Sequence, residues 1–210
     1  METETAVYEL KPFALVLAAV IAIEICAASL FADPLAAAAI ARTLDAAVMM
    51  AAAFFLRKSA DLPGISPAAV WPGAVRGILW SAGFGCAAAA AGAVLYAAGF
   101  DPLAMIRVDL PGSPARLLLF VAVGGIVSPF AEELIFRGAV FGVLRRYGAL
   151  AAVAGSSIVF AAAHHGTGLP VTQTVGGVVF ALSYEIEKNL LVPVAIHISG
   201  NLALFALGSL

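Results

Sequence analysis

Two carboxylates, Glu132 and Glu133, stand side by side in SPFAEELIFRGAVFG, an otherwise apolar run that also holds Arg137. A charged side chain at the centre of a bilayer costs roughly 2.5–3.5 kcal/mol on insertion scales, so ionisable residues at such depth mark a functional site by default. Helical geometry divides the three. Glu133 and Arg137 are four apart, share a face and can pair. Glu132 is turned about 100° from Glu133 by the helical repeat and is free to face a cavity. Further along, Phe160 and His164 are four apart in IVFAAAHHG, and His197 and Asn201 are four apart in AIHISGN. Three helices can each offer a polar group to one interior site. Carboxylate, imidazole and amide are the groups that activate a water and stabilise the oxyanion it creates.

The elements that must position these residues follow from composition. The chain has 210 residues, of which 63% are hydrophobic and 11% charged, with a mean hydropathy of +1.05. A soluble domain is typically about 45–50% apolar and about 25% charged. The excess predicts an all-α, polytopic membrane helix bundle with short loops, a single integral-membrane domain over residues 1–210. The net charge of -2 and the lack of a basic run exclude nucleic acid as a partner. Cys26 and Cys86 fall in apolar segments and read as buried thiols, not a secreted disulfide framework. METETAVYEL is a poor start for a cleavable signal peptide, so the first apolar run is expected to remain as a membrane helix.

A spanning helix needs about 20 apolar residues. Candidates run over about 12–31, 35–56, 77–100, 117–146, 149–164, 171–186 and 191–207, with a loop at 59–72. That makes seven spans, or eight if Pro129 splits the fourth in two. GCAAAAAG, residues 85–92, offers a small-residue face suited to close helix contact, and Gly138 and Gly142 offer another. Arg57, Lys58 and Arg76 precede the third span, and Arg145 and Arg146 follow the fourth. With seven spans both groups lie on the side of the amino terminus, which the positive-inside rule puts in the cytoplasm.

The EExxxR, FxxxH and HxxxN patterns, in this order on successive apolar segments, resemble the CPBP family of intramembrane proteases. That family includes the CAAX-prenyl endopeptidase Rce1 and many bacterial Abi proteins. The resemblance covers a motif-bearing core of about 117–210. It implies that Glu132 is a general base working with His164 on a water, and that Glu133 and Arg137 support it. It further implies that His197 and Asn201 donate hydrogen bonds to the oxyanion. Phe160 is expected to shape the pocket. The implied function is endoproteolysis in or near the membrane, close to the carboxyl terminus of a membrane-anchored, prenylated or sorting-signal-bearing protein or peptide. A prokaryotic cytoplasmic membrane is the expected location, and the oligomeric state is left open.

Other readings of the same residues stay open. Glu133–Arg137 can be a structural ion pair, His164 an interfacial histidine, and His197 with Asn201 interhelical hydrogen-bond glue. No cofactor is expected, although Glu132, His164 and His197 could instead hold zinc and a metal-bound water. A non-catalytic immunity or scaffold protein, or a small transporter with a proton relay, would also need intramembrane charge. Arg42 and Asp45, three apart, read as a structural pair. Glu185, Glu187 and Lys188 read as a solvated helix end, and His165 as a bystander. Glu24 has no partner in its own segment.

Overall fold

The computed structural model describes residues 10–55, 66–164 and 171–209. Among these, seven long helices follow one another: α1 (Leu10–Leu30), α2 (Pro34–Phe55), α3 (Pro67–Ala97), α4 (Pro114–Tyr147), α5 (Ala149–Ala163), α6 (Val171–Glu187) and α7 (Leu191–Gly208). A short 3₁₀ turn, Ala104–Ile106, interrupts the α3–α4 connection. No strand forms among the described residues, and the all-α polytopic membrane bundle expected from composition is what is found. Five helices, α1 to α4 and α7, are long and apolar enough to cross a membrane. The other two are shorter, with 15 residues in α5 and 17 in α6.

Proline placement shapes two of these helices differently from expectation. The 59–72 loop lies outside the described residues up to position 65, but Pro67 opens α3 and Pro72 lies inside it. Proline is well suited to a first helical turn, where its missing N–H is not needed. Arg76, expected between the second and third spans, is thereby helical. Pro129 does not split α4. A π-helical turn, Val123–Val127, precedes it, with Ser128 N–H bonded back to the Val123 carbonyl. The wider turn absorbs the hydrogen bond that proline cannot make, and the helix continues. A second π-helical stretch, Leu134–Val140, follows the glutamates. Such turns concentrate at functional sites.

The helix ends are tied in two layers. Asp33, between α1 and α2, meets Arg116 at the start of α4 at 3.0 Å, and the guanidinium holds the Asp33 carboxyl below its usual range. On the same side Val108 N–H bonds the Gly208 carbonyl at the end of α7. On the opposite side Arg76 Nη1 reaches Glu187 Oε2 at 3.0 Å, and Trp80 Nε1 donates to Glu187 Oε1 at 2.9 Å. There Arg145 also grips Glu185 with two bonds, joined by Lys188 at 2.8 Å. The cluster expected to be a solvated end is a set of tethers between α3, α4 and α6. Arg57 and Lys58 lie outside the described residues.

One apolar core runs through the bundle. Leu134, Phe136 and Phe141 of α4 pack with Phe160 of α5, Phe180 and Tyr184 of α6, and Val192 and Ile196 of α7, with Val20 of α1 and Met49 of α2 closing it. Close approach of α3 to α7 is made by Gly77, where an added Cβ would come within 2.5 Å of the Ala195 Cβ. The GCAAAAAG face does not serve that purpose: its residues are exposed apart from the half-buried Gly92, and no atom lies within 4 Å of where Gly85 would carry a Cβ. The small-residue contact lies two turns earlier in the helix. Gly138 and Gly142 are both buried, in keeping with packing. Cys26 and Cys86 are free thiols on outward faces, not buried as expected. In a bilayer such faces meet lipid, where a thiol is no less at home than in a core.

Candidate active site

Glu132 and Glu133 occupy the α-helical turn Ser128–Glu133 between the two π-helical stretches. Both carboxylates are enclosed, but in different surroundings. Glu133 is fully buried: its Oε1 accepts from Arg137 Nη1 at 3.0 Å and stands 2.8 Å from His197 Nδ1. Arg137, also 0% exposed, uses Nη2 to bond the Gly177 carbonyl of α6 at 2.9 Å. That same carbonyl accepts from Ser157 Oγ of α5 at 3.0 Å. The guanidinium lies 4.7 Å from the centre of the Phe160 ring and 5.2 Å from that of Phe180. Aromatic faces at this range stabilise a cation. Glu133–Arg137 thus has the expected pairing and also links α4, α5, α6 and α7.

Glu132 faces the other way, as the 100° turn requires. Its Oε2 lies 3.3 Å from His164 Nε2 and 3.8 Å from His197 Nε2. His164 caps the carboxyl end of α5, and its Nδ1 sits 2.8 Å from the Phe160 carbonyl. A carbonyl only accepts, so Nδ1 carries the hydrogen. The tautomer then leaves Nε2 facing the Glu132 carboxylate, and the two share whatever proton lies between them. The spacing of four in FxxxH therefore has a backbone reason as well as a packing one. The Phe160 ring also packs against His164, His197, Phe136 and Phe180.

His197 is fixed from both sides, by Glu133 at Nδ1 and by the Phe180 ring, stacked at 4.6 Å and 22°. A proton on Nδ1 shared with Glu133 directs Nε2 to Glu132. Asn201, one turn further on, sends its Nδ2 to the Gly124 carbonyl in the first π-helical turn at 2.8 Å. One amide hydrogen is thereby committed to the backbone, leaving the second and Oδ1. The structure thus brings Glu132, His164 and His197 to one point and anchors Asn201 to the helix that carries Glu132. His165 lies outside the described residues. Among those described, no three His, Cys, Asp or Glu side chains form a group disposed to hold a metal ion. Glu132 meets both histidines through the single oxygen Oε2.

Three residues that sequence reasoning did not assign to the site also reach it. Arg42 of α2 places Nε 3.9 Å from Glu132 Oε1, while its Nη1 lies 2.8 Å from Glu24 Oε1 and 3.4 Å from Asp45 Oδ2. The Arg42–Asp45 pair is present, but it is part of a larger cluster, and the partner Glu24 lacked within its own segment comes from the next helix. An arginine inside an apolar span was the available signal. Phe180 and Gly177 gave none, since an aromatic and a glycine in an apolar helix look like packing.

The class of protein that this arrangement defines is a polytopic helical membrane bundle whose interior brings together a buried carboxylate, two imidazoles and an anchored amide. Residues 114–203 match the family model described as Type II CAAX prenyl endopeptidase Rce1-like. This segment is similar to that family, in agreement with the resemblance carried by its motifs. The chain is 32% identical over 93 residues to the membrane-embedded CAAX protease MroQ of Staphylococcus aureus (strain USA300). That alignment covers 41% of this chain and 38% of the relative. No solved structure matches.

Proposed function

We propose that the protein is an intramembrane endopeptidase that hydrolyses a peptide bond in or near the membrane with a water activated by Glu132 and His164. The observation that carries this reading is the approach of Glu132 Oε2 to His164 Nε2, with the other imidazole nitrogen held by the Phe160 carbonyl. In the step we envisage, the Glu132–His164 pair takes a proton from water and the hydroxide oxygen bonds to the carbonyl carbon. The carbonyl oxygen becomes an oxyanion, which His197 Nε2–H and the second Asn201 amide hydrogen stabilise. His197 donates from Nε2 when it carries protons on both nitrogens, with Glu133 accepting from Nδ1. The C–N bond then breaks, and the pair returns its proton to the leaving amine. Phe160 and Phe180 keep the imidazoles in place; Glu133 and Arg137 keep His197 in place.

The substrate we propose is a membrane-anchored protein or peptide cut near its carboxyl terminus, prenylated or bearing a sorting signal. The proposed location is a prokaryotic cytoplasmic membrane with the amino terminus inside. Among the described residues, Arg76, Arg145, Arg146 and Lys188 lie toward the side of the bundle where α1 begins, against Arg107 and Arg116 on the other. Positive charge favours the cytoplasmic side. Cysteine labelling of intact cells at Tyr147 and at Gly112 tests that orientation.

The decisive experiment reconstitutes the full chain in liposomes with membrane-anchored peptides and reads products by mass spectrometry. Cleavage that Glu132→Gln and His164→Ala both abolish supports the reading. A zinc mechanism with Glu132, His164 and His197 as ligands predicts loss of activity on chelation and its return with zinc. A Glu132→Gln protein with full biological effect would mean that the fold acts without cleaving.

A further inference from the structure

Resting on that reading, we infer that Arg42 is a positioning residue that orients Glu132 and keeps it ionised, so that the site extends beyond the Rce1-like segment into α1 and α2. Arg42 lies on α2, well before the matched residues 114–203. Its guanidinium is held in place by Asp45, which is 0% exposed, and by Glu24 from α1. From that anchor Nε approaches Glu132 Oε1, the oxygen that does not face the histidines. The two carboxylate oxygens are divided, one toward a fixed cation and one toward the imidazoles.

The charges around Glu132 leave this task to Arg42. His164 faces it from α5 and His197 from α7. On its own helix Glu133 is a like charge, and Arg137 is spent on Glu133 and the Gly177 carbonyl. The imidazoles change charge as protons move, so neither can hold Glu132 ionised through a whole cycle. Arginine keeps its proton under all working conditions. Glu24 and Asp45 stand behind Arg42 and draw on the same positive charge, which sets how much of it Glu132 feels.

The test uses the full chain in liposomes and two readouts. One is the pH profile of cleavage. The other is the infrared band of the protonated Glu132 carboxyl, identified as the band that Glu132→Gln removes, titrated against pH. An opposite charge within about 4–6 Å favours the ionised form by about 1–3 pH units. Arg42→Gln should move the infrared midpoint and the acid limb of cleavage together to higher pH by about 1 unit or more. Cleavage on that limb falls about tenfold per unit and recovers at higher pH. Arg42→Lys should keep both close to the parent. Glu24→Gln should move both to lower pH, because it removes a negative charge and releases Arg42 toward Glu132. If Arg42→Gln does not accumulate, the sign of the Glu24→Gln shift decides. An unmoved infrared midpoint in Arg42→Gln, with a rate reduced equally at every pH, overturns the inference; so does Arg42→Lys behaving like Arg42→Gln. A chain that cleaves nothing defeats the protease reading, while the infrared midpoints still decide the role of Arg42.

Discussion

Replacing each glutamate of the pair by glutamine separates chemistry from architecture. The Glu133 carboxylate is 0% exposed and its two contacts, at 2.8 and 3.0 Å, are at full hydrogen-bonding strength. Glu133→Gln leaves Arg137 with its charge buried and uncompensated. Removing one partner of a buried ion pair costs about 3–5 kcal/mol. At about 2–4 °C per kcal/mol for a chain of this size, the lower figure lowers the melting temperature by roughly 6–12 °C. Glu132 makes looser contacts, at 3.3, 3.8 and 3.9 Å. Glutamine there strands no fully enclosed cation, so stability should stay within about 1 kcal/mol of the parent or rise. Cleavage by Glu132→Gln should fall by at least about 10²–10⁴-fold, the usual contribution of a general base. Glu133→Gln should retain measurable turnover where it is folded. The assay pairs cleavage of an anchored peptide in liposomes with melting curves in detergent. A stable, inactive Glu133→Gln beside an active Glu132→Gln would refute the assignment, and two fully active variants would refute the protease reading.

Arg137→Ala should melt lower by a similar margin to Glu133→Gln, since a carboxylate is then stranded in place of a guanidinium; a well-folded, active variant contradicts the structural role. Phe180→Ala removes the ring stacked on His197 and should cost about 3–5 kcal/mol together with activity, to be read from melting curves and turnover. Asn201→Ala should lower turnover by about 10²–10³-fold if its second amide hydrogen meets the oxyanion, and unchanged kcat would remove it from the catalytic set. Gly77→Leu should prevent folding, because a Cβ alone comes within 2.5 Å of Ala195, whereas Gly85→Ala meets nothing and should be neutral or slightly stabilising; matched expression and melting tests decide between them.

The sequence pointed to those parts of the candidate site whose residues announce their cost. Glu132, Glu133, Arg137, His164 and His197 are ionisable in an apolar context, and helical spacing alone predicted that Glu133 rather than Glu132 would pair with Arg137. What spacing could not convey was reach between distant segments. Arg42 and Asp45 satisfied a local rule at three apart, which hid the contacts of Arg42 with Glu24 and Glu132. The same locality misjudged Glu185 and Glu187, whose partners Arg145 and Arg76 lie on other helices. Helix boundaries followed hydropathy well except at prolines, where a first turn at Pro67 and a π-helical turn before Pro129 accommodate what looks like a break. The glycines of α3 show the limit of pattern reading: composition singled out the segment around Gly85, but only the three-dimensional path of α7 selects Gly77 as the point of contact.

The brevity of α5 bears on how the proposed hydrolysis would obtain its water in an oily phase. Its 15 residues rise only about 22 Å, against a hydrocarbon thickness of about 30 Å. His164 closes the short end. A bilayer that conforms to α5 would thin beside it, bringing headgroups and their hydration toward the His164 end. Such a depression also admits a polar chain terminus that intact lipid would repel. Turnover should then depend on the host bilayer itself, rising in thin lipids that relieve the mismatch and falling in thick ones that bury the same end under acyl chains.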